Sequence, residues 1–149
     1  MELRGLRRFA VATGAALLVT AMSGTTAATA DSAETICGPE VDLGSVVYQT
    51  CSDVLAGEGP GYGTMSYMYA RNRGLAATDV DITLQHWDYG TSTWVTDSSG
   101  TRTIGPGSET RYFSPSTLWS CGQDARERTS ATSTVGTGAW SEAVTPAPC

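Results

Sequence analysis

Along residues 79–89, Val80, Ile82 and Leu84 alternate with Asp81, Thr83 and Gln85. A period of two is the mark of a half-buried β-strand, because successive side chains of an extended chain point to opposite faces. Nowhere beyond residue 30 do apolar residues recur at three and four over ten residues, so no helix is expected there. Short β-rich runs take its place at 43–55, 64–71, 93–97, 101–104, 109–113, 125–135 and 139–145. Turn residues punctuate them at Tyr89-Gly90-Thr91-Ser92, Ser98-Ser99-Gly100, Pro106-Gly107 and Gly136-Thr137-Gly138. Seven or eight short strands at this spacing predict an all-β fold, an antiparallel sandwich.

The first thirty residues read differently. Arg4, Arg7 and Arg8 precede an apolar run from Phe9 through Met22, and Ala28-Thr29-Ala30 forms a small-x-small site with the cut before Asp31. This is the build of a secretion signal peptide, and the run is shorter and more interrupted than a membrane span of about 20 residues. Residues 1–30 are therefore expected to be removed, and residues 31–149 to form a single secreted, extracellular domain with no membrane attachment. The residue usage points to a bacterial source.

Charge narrows the partners. The nine basic residues are all arginine and three of them lie in the signal, whereas only Glu2 of the fifteen carboxylates does. A domain this acidic is repelled by a phosphate backbone, so nucleic acid is excluded as a partner, and anionic membrane surfaces are disfavoured for the same reason. A monomer is expected.

Two segments resemble known modules. The run NRGLAATDVDITLQHW is similar to the glycine-containing turn and following strand of bacterial immunoglobulin-like domains. The closing run ARERTSATSTVGTGAWSEAVTP resembles the last hairpin of fibronectin type III domains, with its glycine turn and Trp-Ser pair. The resemblance implies an immunoglobulin-like sandwich and no particular activity.

Four cysteines in an exported chain predict two disulfides. Joining Cys37 to Cys51 staples the N-terminal segment to the first long strand, and joining Cys121 to Cys149 ties down the end. The immunoglobulin-like alternative joins Cys51 to Cys121, although Cys121 sits in a loop setting. Wide spacing with no Cys-x-x-Cys argues against zinc.

No catalytic pattern stands out. His86 is the sole histidine and falls in phase with the inward residues at the strand's end, a core-edge position, with no Gly-x-Ser-x-Gly elbow to serve. Glu58, Asp79, Asp81, Asp88, Asp97 and Glu109 offer carboxylate pairs for glycoside hydrolysis, yet any acidic domain contains such pairs, and no Asp-x-Asp-x-Asp-Gly calcium loop is present. Gly57, Gly59, Gly61 and Gly63 form a loop with Tyr62 at its tip; Pro60 and the strand that follows exclude a phosphate cradle. Strict alternation sends Thr83, Gln85, Trp87 and Tyr89 outward, with Trp94 just across the turn. That grouping suits a sugar-stacking platform or a protein contact, and core packing of Trp87 through a β-bulge is the competing reading. The chain is thus expected to be a non-catalytic module without cofactor or metal. Its ligand is expected to be an extracellular glycan or protein, with Gln85, Trp87, Tyr89 and Trp94 as ligand-binding residues. An inhibitor of an extracellular hydrolase acting through the 57–63 loop, and a small carboxylate-dependent hydrolase, are the alternatives.

Overall fold

In the computed structural model, residues 34–55 and 60–148 are described, and every regular element among them is a β-strand. They are β1 (Thr35–Cys37), β2 (Val41–Leu43), β3 (Val46–Leu55), β4 (Gly61–Asn72), β5 (Thr78–Asp88), β6 (Thr93–Ile104), β7 (Glu109–Phe113), β8 (Thr117–Ser120), β9 (Ala125–Ser133), β10 (Gly136–Thr137) and β11 (Ser141–Thr145). All pair antiparallel, in two sheets. Sheet A has β3 and β4 at its centre, with β1 and β2 on the outer edge of β3 and β7 and β8 on that of β4. Sheet B runs β6, β5, β9, and then β10 and β11 along the far edge of β9. The eleven elements exceed the seven or eight expected because three edges are each made of two short segments.

The inner faces of the two sheets share one core. Val46, Tyr48, Met68, Ala70 and Tyr112 from sheet A meet Val80, Ile82, Leu84, Ile104 and Ala131 from sheet B, all buried. Burying apolar area at about 25 cal/mol per Å² is what holds the sheets together. A second buried group, Tyr62, Trp119 and Ala125, fills the end of the molecule near the β5–β6 turn. On the side where β3 and β11 approach, a polar seam joins the sheets. Thr50 donates its amide to Ser141 Oγ and its hydroxyl to Ser141 O, and Ser141 Oγ donates to Pro39 O. Gly38 permits this closeness, since a Cβ there would lie 2.2 Å from Glu142 O.

Several sequence expectations are corrected. Residues 98–100 do not turn: β6 runs unbroken through them, and Gly100 is there because a Cβ would meet Tyr112 Oη at 2.8 Å. Tyr62 is not displayed at a loop tip. It lies within β4, 3% exposed, with its hydroxyl donating to Gln123 O at 2.7 Å. Residues 57–59 of that loop, including Glu58, lie outside the described residues.

The Cys37–Cys51 disulfide is present, between directly opposed residues of β1 and β3. The Cys51–Cys121 alternative is thereby excluded. Cys121 is not free, and its expected partner Cys149 lies outside the described residues.

Candidate functional site

Strands β5 and β9 carry the chemistry, and the pleat sorts it onto two faces. On the inner face, His86 and Glu127 stand opposite one another. The β-bulge foreseen near His86 exists, but its extra residue is Asp97 on β6, between Ser98 opposite Leu84 and Thr96 opposite Gln85. The alternation of β5 is therefore undisturbed, and the bulge turns Asp97 inward, where a carboxylate oxygen lies 2.6 Å from His86 Nδ1. Where the carboxylate accepts, Nδ1 is the donor of this hydrogen bond. Burial pushes the Asp97 carboxyl up, and the His86 hydrogen bond opposes this.

Glu127 is more extreme. It is 1% exposed, and its Oε1 accepts from Thr64 Oγ1 at 2.8 Å, while Thr64 Oγ1 accepts from Trp119 Nε1 at the same distance. Its Oε2 has no hydrogen-bond partner, nor has Ser52 Oγ, which lies near enough to favour the charged form without reaching bonding geometry. Burial pushes this carboxyl up, against the Ser52 and Thr64 hydroxyls. A cleft of about 170 Å³ opens at this end, with His86, Tyr89, Leu118, Trp119 and Gln123 among its walls. It is smaller than the roughly 300–1,000 Å³ of ordinary small-ligand pockets.

The outer face of sheet B holds three of the four residues singled out as ligand-binding. Trp87 and Trp94 are directly opposed and meet edge to face, ring centroids 5.4 Å apart. Gln85 lies in the next row, between Thr96 on β6 and Arg128 on β9. Trp87 and Trp94 are each half-buried, an outcome between the exposed platform and the core reading. Tyr89 departs from the group. In the turn, its ring packs against Trp119 and its hydroxyl donates to Asp124 O.

Three further residues, Arg126, Arg128 and Trp140, complete the face. Arg126 lies over the rings of Trp87 and Trp94 at 5.2 and 5.4 Å, and Arg128 over Trp94 and Trp140 at 4.0 and 4.1 Å. The result is an interleaved ladder of indoles and guanidiniums. Arg126 also pairs with Glu142 at 2.7 Å. The Gln85 amide is engaged inside the ladder: its oxygen accepts from Arg128 Nε and Nη2, and its nitrogen donates one N–H to Thr96. The spacing of Arg126 and Arg128 on one strand, both in phase with the outward side, was the available signal. Which aromatic rings they would cover depends on pairing between strands distant in sequence.

The remaining acidic residues have local tasks. Asp79 and Asp81 accept from Thr103 and Thr101 across the β5–β6 pair, and Asp88 caps the turn by accepting from the Gly90 and Thr91 amides. Those turn contacts hold the Asp88 carboxyl below the usual range.

No protein-family model matches this chain, and no curated protein matches it. Among solved structures, it is similar to the X-ray structure of Northeast Structural Genomics Consortium target SoR45. The identity is 14% and the TM-score 0.44, over 68% of this chain and 83% of that one.

Proposed function

We propose that the protein is a secreted, non-catalytic binding module of immunoglobulin-like build, and that it holds an extracellular protein ligand on the outer face of sheet B. The observation that carries this reading is the ladder of Trp87, Trp94 and Trp140 interleaved with Arg126 and Arg128 on a solvent-facing sheet. Tryptophan and arginine are the residues that dominate protein–protein hot spots, and here both are held rigid by mutual stacking before any partner arrives. Trp140, 41% exposed, offers the most open ring. A sugar is the poorer fit to this face, since stacking needs a bare indole face and an amide with free valences. Here the guanidiniums lie over the rings, and the Gln85 oxygen is occupied by Arg128 and one of its N–H groups by Thr96. The strand order supports the immunoglobulin-like part: β3, β4 and β7 form one sheet, and β6, β5, β9 and β11 the other. That is the split of strands expected of a fibronectin type III-like module. Cys37–Cys51 fits delivery to an oxidising compartment.

The test is capture from culture medium on immobilised protein, wild type against Trp94→Ala and Trp140→Ala. A defined protein bound by wild type and lost from both variants, with melting temperatures showing both folded, is the expected result. Equal capture by all three would overturn the assignment of this face.

A second reading, hydrolysis, has one observation in its favour, the Asp97–His86 pair beside the end cleft. Screening ester and glycoside substrates with wild type and Asp97→Asn decides it, because a hydrolase using this pair would lose turnover in the variant.

A further inference from the structure

The outer face of sheet A is built on a different plan. Register places Gln49, Tyr69 and Arg111 in one row across β3, β4 and β7, and Cys51, Tyr67 and Phe113 in the row beside it. All six project from the same face, because rows two residues apart share a side of the pleat. Tyr67 is buried and serves as floor: Phe113 tilts against it at 5.1 Å, and the Arg111 guanidinium lies over its ring at 5.3 Å. Tyr69, two residues along, stays partly exposed. A cleft of about 300 Å³ lies among Gln49, Tyr67, Tyr69, Glu109 and Arg111, bounded by the Cys37–Cys51 bridge. This volume enters the range of about 300–1,000 Å³ typical of small-molecule sites.

The polar groups around this cleft are unspent. Among the described residues, neither the Gln49 amide nor the Arg111 guanidinium has a hydrogen-bond partner, in contrast to Gln85 on the other sheet. Glu109, one strand over and two residues before Arg111, lines the same cleft, and its carboxylate pushes the Tyr69 phenol up. An amide, a carboxylate and a guanidinium thus converge beside an aromatic ring on a sheet whose edge is covalently stapled. Hydroxyl-rich rings are recognised by this combination: the C–H face lies on the aromatic, and the in-plane hydroxyls are met by paired donors and acceptors. A small apolar ligand would leave those groups unpaired on desolvation, which costs affinity.

We propose that this cleft is a binding subsite for one pyranose residue of a glycan, with Tyr69 as the stacking ring and Gln49, Glu109 and Arg111 receiving its hydroxyls. The proposal stands apart from the protein-binding reading of sheet B and does not depend on it.

Pentamers of glucose, N-acetylglucosamine and galacturonic acid, titrated into isotopically labelled protein and followed by backbone amide shifts, test it. At least one should perturb the amides of β3, β4 and β7, with Kd on the order of 1 mM. Tyr69→Ala should weaken binding by about tenfold or more, and Gln49→Ala, which leaves the ring in place, by a smaller factor. Trp94→Ala should bind the sugar as wild type does. If galacturonate is the best ligand, Arg111→Gln should abolish its advantage over the neutral pentamers. No shift with any pentamer at about 10 mM, or binding that survives both Tyr69→Ala and Gln49→Ala, overturns the proposal. So do shifts confined to sheet B.

Discussion

Strand β9 reads Arg126-Glu127-Arg128, and its two faces treat charge in opposite ways. Outside, the arginines lie on indole rings, pair with Glu142 and Gln85, and keep contact with water. Inside, among the described residues, Glu127 and Asp97 each leave one buried oxygen without a partner, and no guanidinium pairs with them. A pleated strand offers no intermediate choice, since each side chain goes fully to one side or the other. The outer charges are thus stabilised by contacts that tolerate solvent. The inner ones are tolerable only where hydroxyls, an imidazole or a proton compensate for lost hydration.

The sharpest way to break this contrast is to remove the indole that supports the inner network. Trp119→Ala deletes a buried ring and the Nε1 donor to Thr64, and should destabilise the fold by about 3–5 kcal/mol in denaturant melts. A cost under about 1 kcal/mol would mean that the inner end is loosely packed.

Next comes pH. The folded-state pKa values of Glu127 and Asp97 are raised by burial, so the native state holds protons that the unfolded chain releases. Stability from these groups is full below the ordinary carboxylate range and falls as pH rises from there through the raised values. Melting temperature should therefore climb on acidification from neutral pH toward pH 5, and Glu127→Gln should flatten that slope. Asp88 acts in the opposite sense, but only below its ordinary value of 3.8, outside this window. A wild-type melting temperature that falls steadily from pH 7 to pH 5 would contradict the assignment.

Outer-face changes should be milder. Trp94→Ala loses the edge contact with Trp87 and the stacking of two guanidiniums, about 1–2 kcal/mol of stability, with a loss of about tenfold or more in protein-ligand affinity. Smallest of all, Glu142→Gln breaks an ion pair whose side chains are about one-third exposed and should cost less than about 1 kcal/mol. Equal penalties for Trp94→Ala and Trp119→Ala would erase the distinction between the faces.

Much of this was legible in the sequence. The alternation of residues 79–89 gave the inward set Val80, Ile82 and Leu84 and the outward Gln85 and Trp87, because period two survives wherever one face is buried. The Cys37–Cys51 pairing was one of those the strand map allowed, and the strand at 35–37 that sets it opposite β3 was not foreseen. What escaped was set by contacts remote along the chain. Ser98-Ser99-Gly100 has turn composition, but its glycine answers to Tyr112 on another sheet. Strand β8 and the burial of Trp119 within it depend on pairing with residues 61–64. Tyr89 left the outward group because the turn that carries it follows no pleat. The Gln49–Tyr69–Arg111 row draws one residue from each of three strands, and no single segment announces it.

The bulge at Asp97 bears on solubility as well. Among the described residues β6 pairs only with β5, so its other edge presents unpaired amides and carbonyls along a twelve-residue strand, a template for a second chain. One extra residue in mid-strand puts the two halves of that edge out of phase. An incoming straight strand can satisfy one half and must then miss the other. The residue that turns a carboxylate toward His86 thereby also limits edge-to-edge association, and a variant deleting Asp97 should aggregate at concentrations where the parent stays dispersed.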